Sequence, residues 1–189
     1  MLGGTFDPPH LGHLVIAAEV RHALALDEVV LMVANDPWQK RGSRDVTPAA
    51  MRLEMTEAVV DRRWLRAGAE EIVRGGPSYT VETVEALAMS APQSDHVVIV
   101  GSDAAAGLDG WHRSDDLAAL VEIVVVHRPG TPVPTLGERW RVRVVEVCQL
   151  DISSTELRQR VRDGRPTDFL LPSAAREVID RCGLYGDIP

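Results

Sequence analysis

Short unbroken apolar runs alternate along the chain with stretches whose apolar positions recur every three or four residues. Val29–Asn35 (VVLMVAN), His96–Asp103 (HVVIVGSD), Glu122–Gly130 (EIVVVHRPG) and Arg141–Val147 (RVRVVEV) read as strands, and Arg66–Val73 (RAGAEEIV) as a weaker one. These runs are rich in Val and Ile and lack polar alternation, so they fit strands covered on both faces. Between them lie helical patterns. The first puts Leu11, Leu14, Val15 and Ala18 on one face, and TVETVEALAM, SDDLAALV, STELRQRVRD and SAAREVIDRC repeat the spacing. Strand and helix in alternation predict an α/β fold: a doubly wound, mostly parallel sheet of Rossmann type that binds ligands at the carboxyl ends of its strands. We expect one domain over 1–189, with a small helical part over 153–189. Two polar stretches, DPWQKRGSRDVTPAAM (Asp36–Met51) and RPGTPVPTLGERW, read as loops, the first of them mobile.

Composition narrows the partners. With 28 acidic against 20 basic side chains the net charge is −8. That balance disfavours nucleic acid and anionic membranes, which attract basic surfaces. A small phosphate ligand needs only a local positive site. The two cysteines, Cys148 and Cys182, have neither metal-ligand nor redox-pair spacing and read as thiols of a reducing compartment. No apolar run is long enough to span a bilayer, and a cytoplasmic location is expected. Whether the chain forms a homo-oligomer is left open by the sequence.

The densest candidate chemistry is the opening GGTFDPPHLGH. Gly3 and Gly4 would let the backbone turn sharply and a ligand approach it. Pro8 and Pro9 stiffen the approach to a helix beginning near His10. His10 and His13 are three apart and project from the same side of the first turn, beside unsatisfied N–H groups and the positive dipole end. Gly12 leaves room between them. A dipole end contributes about 0.3–1 kcal/mol, whereas hydrogen bonds to charged groups add about 1.5–3 each, so the imidazoles outweigh the dipole. Asp7 is either a ligand-site residue or, before a proline, a turn former, and the turn role is the favoured one.

A second helix start lies in ISSTELR, Ile152–Arg158. Ser153 and Glu156 match a capping box. Ser154, Thr155 and Arg158 then offer hydroxyl and guanidinium donors suited to a polyphosphate. In GSDAAAGLDGWHR, Gly101 ends a strand. Asp103 either accepts from a ribose hydroxyl or caps a short helix, and Trp111 either stacks on a planar ring or fills the core. One feature is unusual. GGTFD should follow the first strand of a βα unit, yet only Met1 and Leu2 precede it, so we expect the natural polypeptide to start upstream.

GGTFDPPHLGH near the start and ISSTELR near the end, with PSYTVET, GSDA, W plus RSDDL, and HRPG in order between them, resemble bacterial nicotinate-mononucleotide adenylyltransferases of the nucleotidylyltransferase superfamily. The opening motif alone is shared with pantetheine-phosphate adenylyltransferases and glycerol-phosphate cytidylyltransferases. ISST together with PSYT narrows the choice. The resemblance implies adenylyl transfer from ATP to nicotinate mononucleotide, giving nicotinate adenine dinucleotide and pyrophosphate, with Mg²⁺ arriving on the ATP phosphates and no protein metal cage. It implies that Gly4, Thr5, Phe6, His10, His13, Gly101, Asp103, Ile152, Ser153, Ser154, Thr155 and Arg158 meet ATP. His13, His10 and Arg158 would act on the reacting phosphates. Lys40, Thr80, Trp111 and His112 would meet the mononucleotide. Two positions depart from the family: DPWQK stands where PPHK is common, and His112 where tyrosine is common.

Two other readings remain. One is a nucleotidylyltransferase with a different acceptor, nicotinamide mononucleotide or phosphopantetheine. The other is a nucleotide-binding regulator without turnover. A tRNA synthetase fragment is disfavoured by the acidic balance and by the lack of a KMSKS-like stretch.

Overall fold

The computed structural model describes residues 1–37, 46–60, 62–127, 133–148 and 150–186. Six strands form one sheet: β1 Leu2–Gly4, β2 Val29–Val33, β3 Leu65–Gly68, β4 Val97–Gly101, β5 Glu122–His127 and β6 Val142–Glu146. Their order is β3-β2-β1-β4-β5-β6, and every neighbouring pair is parallel. The fold is therefore doubly wound α/β, as the apolar runs predict. The chain runs outward from β1 to β3, then returns to lay β4 on the other side of β1. Ligands of such sheets bind where the order reverses, at the carboxyl ends of β1 and β4.

Both faces of the sheet are covered, which is why its strands lack polar alternation. Successive side chains point to opposite faces. Ile99, Val124 and Val126 join a core with Leu31, Ala17 and Val20, beneath helix α1 Leu11–Leu24. Val98, Val100, Ile123 and Val125 join a second core with Val81, Val84, Leu117 and Trp140, beneath α4 Thr80–Ser90 and α6 Ser114–Leu120. A third core gathers Met55, Val59, Leu157, Leu171, Val178 and Ile179 from α2 Ala49–Val59, α7 Ser154–Arg162, α8 Ser173–Cys182 and the segment before α8.

Several expectations need correction. Helix α2 takes the last residues of the loop expected over Asp36–Met51. β3 ends at Gly68, and Glu70–Arg74 is a short helix, α3, so RAGAEEIV is strand only in its first half. Ser102 and Asp103 belong to α5 Ser102–Ala105, not to the strand before it. α1 is rotated from the expected face: Ala17 and Val20 are buried, Leu14, Ile16 and Leu24 pack against the core, and Ala18 is exposed. Gly3 and Gly4 do not turn the chain. They are strand residues, paired with Met32 and Val33. No helix among the described residues is long and apolar enough to cross a membrane.

Candidate active site

The turn that Gly3 and Gly4 were expected to make falls at Phe6, whose φ is +48°. Left-handed backbone is strained for a bulky residue and persists only where the surroundings fix it. Here Phe6 is 2% exposed, and its ring fills the space over Gly4. A Cβ on Gly4 would stand 2.7 Å from Phe6 Cζ. The ring also meets His13 edge-on, with centroids 4.9 Å apart. Gly12 plays the matching part for His10, since a Cβ there would lie 3.1 Å from the imidazole. Each glycine thus gives room to one ring of a three-ring stack, and His10 and His13 pack face to face at 3.7 Å.

His10 is the residue before α1, and its backbone N–H donates to His13 Nδ1 at 3.1 Å. An accepting Nδ1 puts the proton of the neutral ring on Nε2, so His13 is a donor at that atom. His10 is buried, and burial pushes its pKa down to about 4. It is a neutral imidazole near pH 7 and not a fixed positive charge. This has a measurable consequence. Below about pH 6.5 the unfolded chain protonates His10, while the folded chain resists until about pH 4. The stability it contributes is complete above pH 6.5 and falls as the pH drops towards 4, by roughly 3 kcal/mol. Urea unfolding of the wild type and His10→Asn across this range is expected to show that difference. A pH-independent difference would refute it.

The second helix start closes on the first. Ser153 caps α7 by accepting from Glu156 N at 3.1 Å. The Glu156 carboxylate takes Arg160 at i+4, where a capping box would have sent it back to the cap. Ser154 Oγ donates to Pro8 O at 2.8 Å. Arg158 is 6% exposed and donates to Asp7 O at 2.7 Å and to Thr155 Oγ1 at 3.1 Å. These bonds join segments almost 150 residues apart in sequence. The result is a cavity of about 610 Å³ lined by Gly4, Thr5, Phe6, His10, His13, Ile152, Ser153, Ser154, Thr155 and Arg158, with Asp7 and Cys148 on its wall. The imidazole pair and the hydroxyl triplet therefore face one space.

A second cavity of about 190 Å³ lies at the point where the strand order reverses. Thr80, Trp111 and His112 line it together with Tyr79, Glu71 and Gly101. Gly4 and Thr5 border both cavities. Thr80 is the first residue of α4, so its amide is among those that no helix carbonyl satisfies. His112 stacks on Tyr79 with ring centroids 4.1 Å apart. Arg113 follows in left-handed backbone and grips Glu85 of α4 with both terminal nitrogens, fixing the Trp111–His112 segment to that helix. Trp111 packs on the core, as one of its two readings has it, while also lining the cavity. Gly101 lines this cavity and not the first, and Asp103 lines neither. Lys40 lies outside the described residues, as do Trp38 and Gln39.

Sequence reasoning missed Arg52. It is 1% exposed, and Nε donates to Thr47 O at 2.7 Å, Nη1 to Thr5 O at 2.8 Å and Nη2 to Asn35 O at 3.1 Å. One guanidinium thus ties the ends of β1 and β2 to the start of α2. The signal was weak: Arg52 shares one buried helical face with Met55, Thr56 and Val59, half of it polar. Asp7 sits in the bend at Asp7–Pro8, as its place before a proline predicts, and its carboxylate also reaches distant segments. It is 1% exposed, and its carboxylate accepts from Tyr185 Oη at 2.7 Å and Thr47 N at 3.4 Å.

Comparison with known proteins shows the family and agrees with the fold. A cytidylyltransferase-like family model matches residues 1–160. The chain is 41% identical over 186 residues to a Streptomyces coelicolor protein named "probable nicotinate-nucleotide adenylyltransferase", covering 97% of this chain and 98% of the relative. A protein of the same name from Exiguobacterium sibiricum is 38% identical, with 98% and 97% covered. In fold, the chain is similar to the Plasmodium falciparum nicotinic acid mononucleotide adenylyltransferase complexed with NaAD: TM-score 0.74, 15% identity, 97% of this chain and 95% of that one covered.

Proposed function

From a chain that belongs to the nicotinate-nucleotide adenylyltransferase branch of the cytidylyltransferase-like family, we propose the following reaction and site. The enzyme transfers the adenylyl group of ATP to nicotinate mononucleotide, releasing pyrophosphate and forming nicotinate adenine dinucleotide, a step of NAD biosynthesis. One observation carries the assignment of sites: two cavities meet at Gly4 and Thr5, and the larger is walled by two helix beginnings, two imidazoles, three hydroxyls and a guanidinium.

The triphosphate occupies the larger cavity and the mononucleotide the smaller, so the reacting phosphates meet at the shared wall. The acceptor's 5′-phosphate oxygen attacks the α-phosphorus. A new P–O bond forms as the bond to pyrophosphate breaks, and the electron pair leaves on pyrophosphate. The attacking phosphate is already an anion, so no protein nucleophile is needed. The protein's task is to hold two like-charged groups in line and to neutralise charge on the leaving group. His13 Nε2–H donates to the α-phosphate. The buried His10 supports that ring from below and shares the cavity. Thr155, Arg158 and the α7 amides, Ser154 N–H among them, hold the outer phosphates. The substrate is ATP with its Mg²⁺, which neutralises phosphate charge. Trp111 and His112 hold the pyridine ring, and the Thr80 amide at the start of α4 faces the ring's carboxylate. The protein works as a soluble cytoplasmic enzyme.

Pyrophosphate release is to be measured with ATP and each acceptor in turn. A helix N-terminus favours an anion by about 0.3–1 kcal/mol, and by up to about 2 when partly buried. Near the upper end this corresponds to about tenfold higher kcat/KM for nicotinate than for nicotinamide mononucleotide. Equal values would remove the role given to the α4 amides. A higher rate with phosphopantetheine would reassign the acceptor. ATP binding with no pyrophosphate from any acceptor would make the protein a regulator.

A further inference from the structure

The family match ends at residue 160, yet the chain beyond it reaches back into the motif. After α8, Gly183 ends the helix in left-handed backbone, and the chain turns inward at Tyr185, whose φ is +65°. For a large aromatic residue that conformation is strained and persists only when its surroundings hold it. Two contacts of the phenol do so: Oη lies 2.7 Å from Asp7 Oδ1 and 3.8 Å from Met55 Sδ. Burial first, and the Asp7 charge next, push the phenol's pKa up, so it stays a donor at any working pH. Asp7 is 1% exposed and lies on the wall of the triphosphate cavity. A buried carboxylate is costly unless its oxygens are occupied by hydrogen-bond donors, and those donors fix where it points. Tyr185 occupies one oxygen, and the Thr47 amide approaches the other. Asp7 and Pro8 are also the residues whose carbonyls receive Arg158 and Ser154.

We propose that Tyr185 is a positioning residue for the adenylyl transfer: by holding the Asp7 carboxylate it fixes the Asp7–Pro8 backbone, and through it the Arg158 guanidinium and the start of α7 that face the triphosphate. The inference rests on the functional reading above. Without the phenol, the carboxylate turns to the guanidinium already at its own carbonyl and competes with the phosphates for it.

The test is a double-mutant cycle of Tyr185→Phe and Asp7→Asn in the full chain. Steady-state rates of pyrophosphate release from ATP and nicotinate mononucleotide are normalised to the fraction of protein that binds ATP, so partial misfolding does not imitate an effect. Tyr185→Phe keeps the ring and is expected to lower kcat about tenfold, with KM for ATP changed less than threefold. Asp7→Asn lowers kcat at least as much. If Tyr185 acts through Asp7, the double variant is no slower than Asp7→Asn alone, within a factor of two. A purely structural role predicts losses that multiply and that track the thermal midpoint, and that result would overturn the proposal. So would a Tyr185→Phe variant as fast as the wild type. A wild type that releases no pyrophosphate would overturn the functional reading itself.

Discussion

His13→Ala is expected to lower kcat by ~10²–10³ while leaving the protein folded, the loss that follows removal of one preorganised donor to a reacting oxyanion. The size follows from how the ring is held. Phe6 meets it edge-on, His10 stacks on it at 3.7 Å, and the His10 amide holds Nδ1. Its remaining nitrogen is thus oriented before substrate arrives, and no reorganisation is needed during reaction. His13 is only partly buried, so alanine leaves no large closed void. KM for ATP should change much less than kcat, because the donor matters most once charge builds on the α-phosphate. His13→Asn should recover part of the rate if a neutral donor is what the reaction requires. Single-turnover measurement checks this, and a chemical step within a factor of three of wild type would remove His13 from the mechanism.

Arg52→Met is expected to cost ~3 kcal/mol of stability, since the buried Thr5 carbonyl and the half-buried Asn35 and Thr47 carbonyls lose their donor, at about 1–3 kcal/mol for a fully buried group. Methionine fills a similar volume, so the loss reports hydrogen bonding more than packing. In a chain of this length each kcal/mol lowers Tm by about 2–4 °C, which predicts a fall of roughly 10 °C. Arg52→Lys should rescue little. An ammonium is a single point of donation, whereas the three acceptors, on Thr5, Asn35 and Thr47, belong to separate segments. Activity should fall as well, because Thr5 borders both cavities. Calorimetry decides the matter. A Tm within about 2 °C of wild type would show that water replaces the guanidinium without penalty.

The sheet was legible because burial on both faces leaves continuous runs of Val and Ile, a pattern few other structures require. The α1 and α7 starts were legible because glycine, proline and hydroxyl residues have specific backbone uses. Helix α2 was not. Its buried face is Arg52, Met55, Thr56 and Val59, half of it polar, so its periodicity is weak. Gly4 was read as letting a ligand approach the backbone and Gly12 as leaving space between the imidazoles, whereas the room is taken by Phe6 and His10. Sequence spacing shows that space is needed but not what fills it. Tyr185 left no local signal, because its partner lies 178 positions earlier. That His13 and Ser154 share one cavity follows only from the order in which the strands are laid down.

That order has a mechanical result. β1 lies between β2 and β4 and pairs in parallel with both. The smaller cavity is lined by Leu2, Gly3 and Gly4 of β1 together with Val98, Ile99 and Val100 of β4. Its width is therefore set by the spacing of these two strands, and a substitution that spreads them reshapes the cavity without touching any side chain at its mouth.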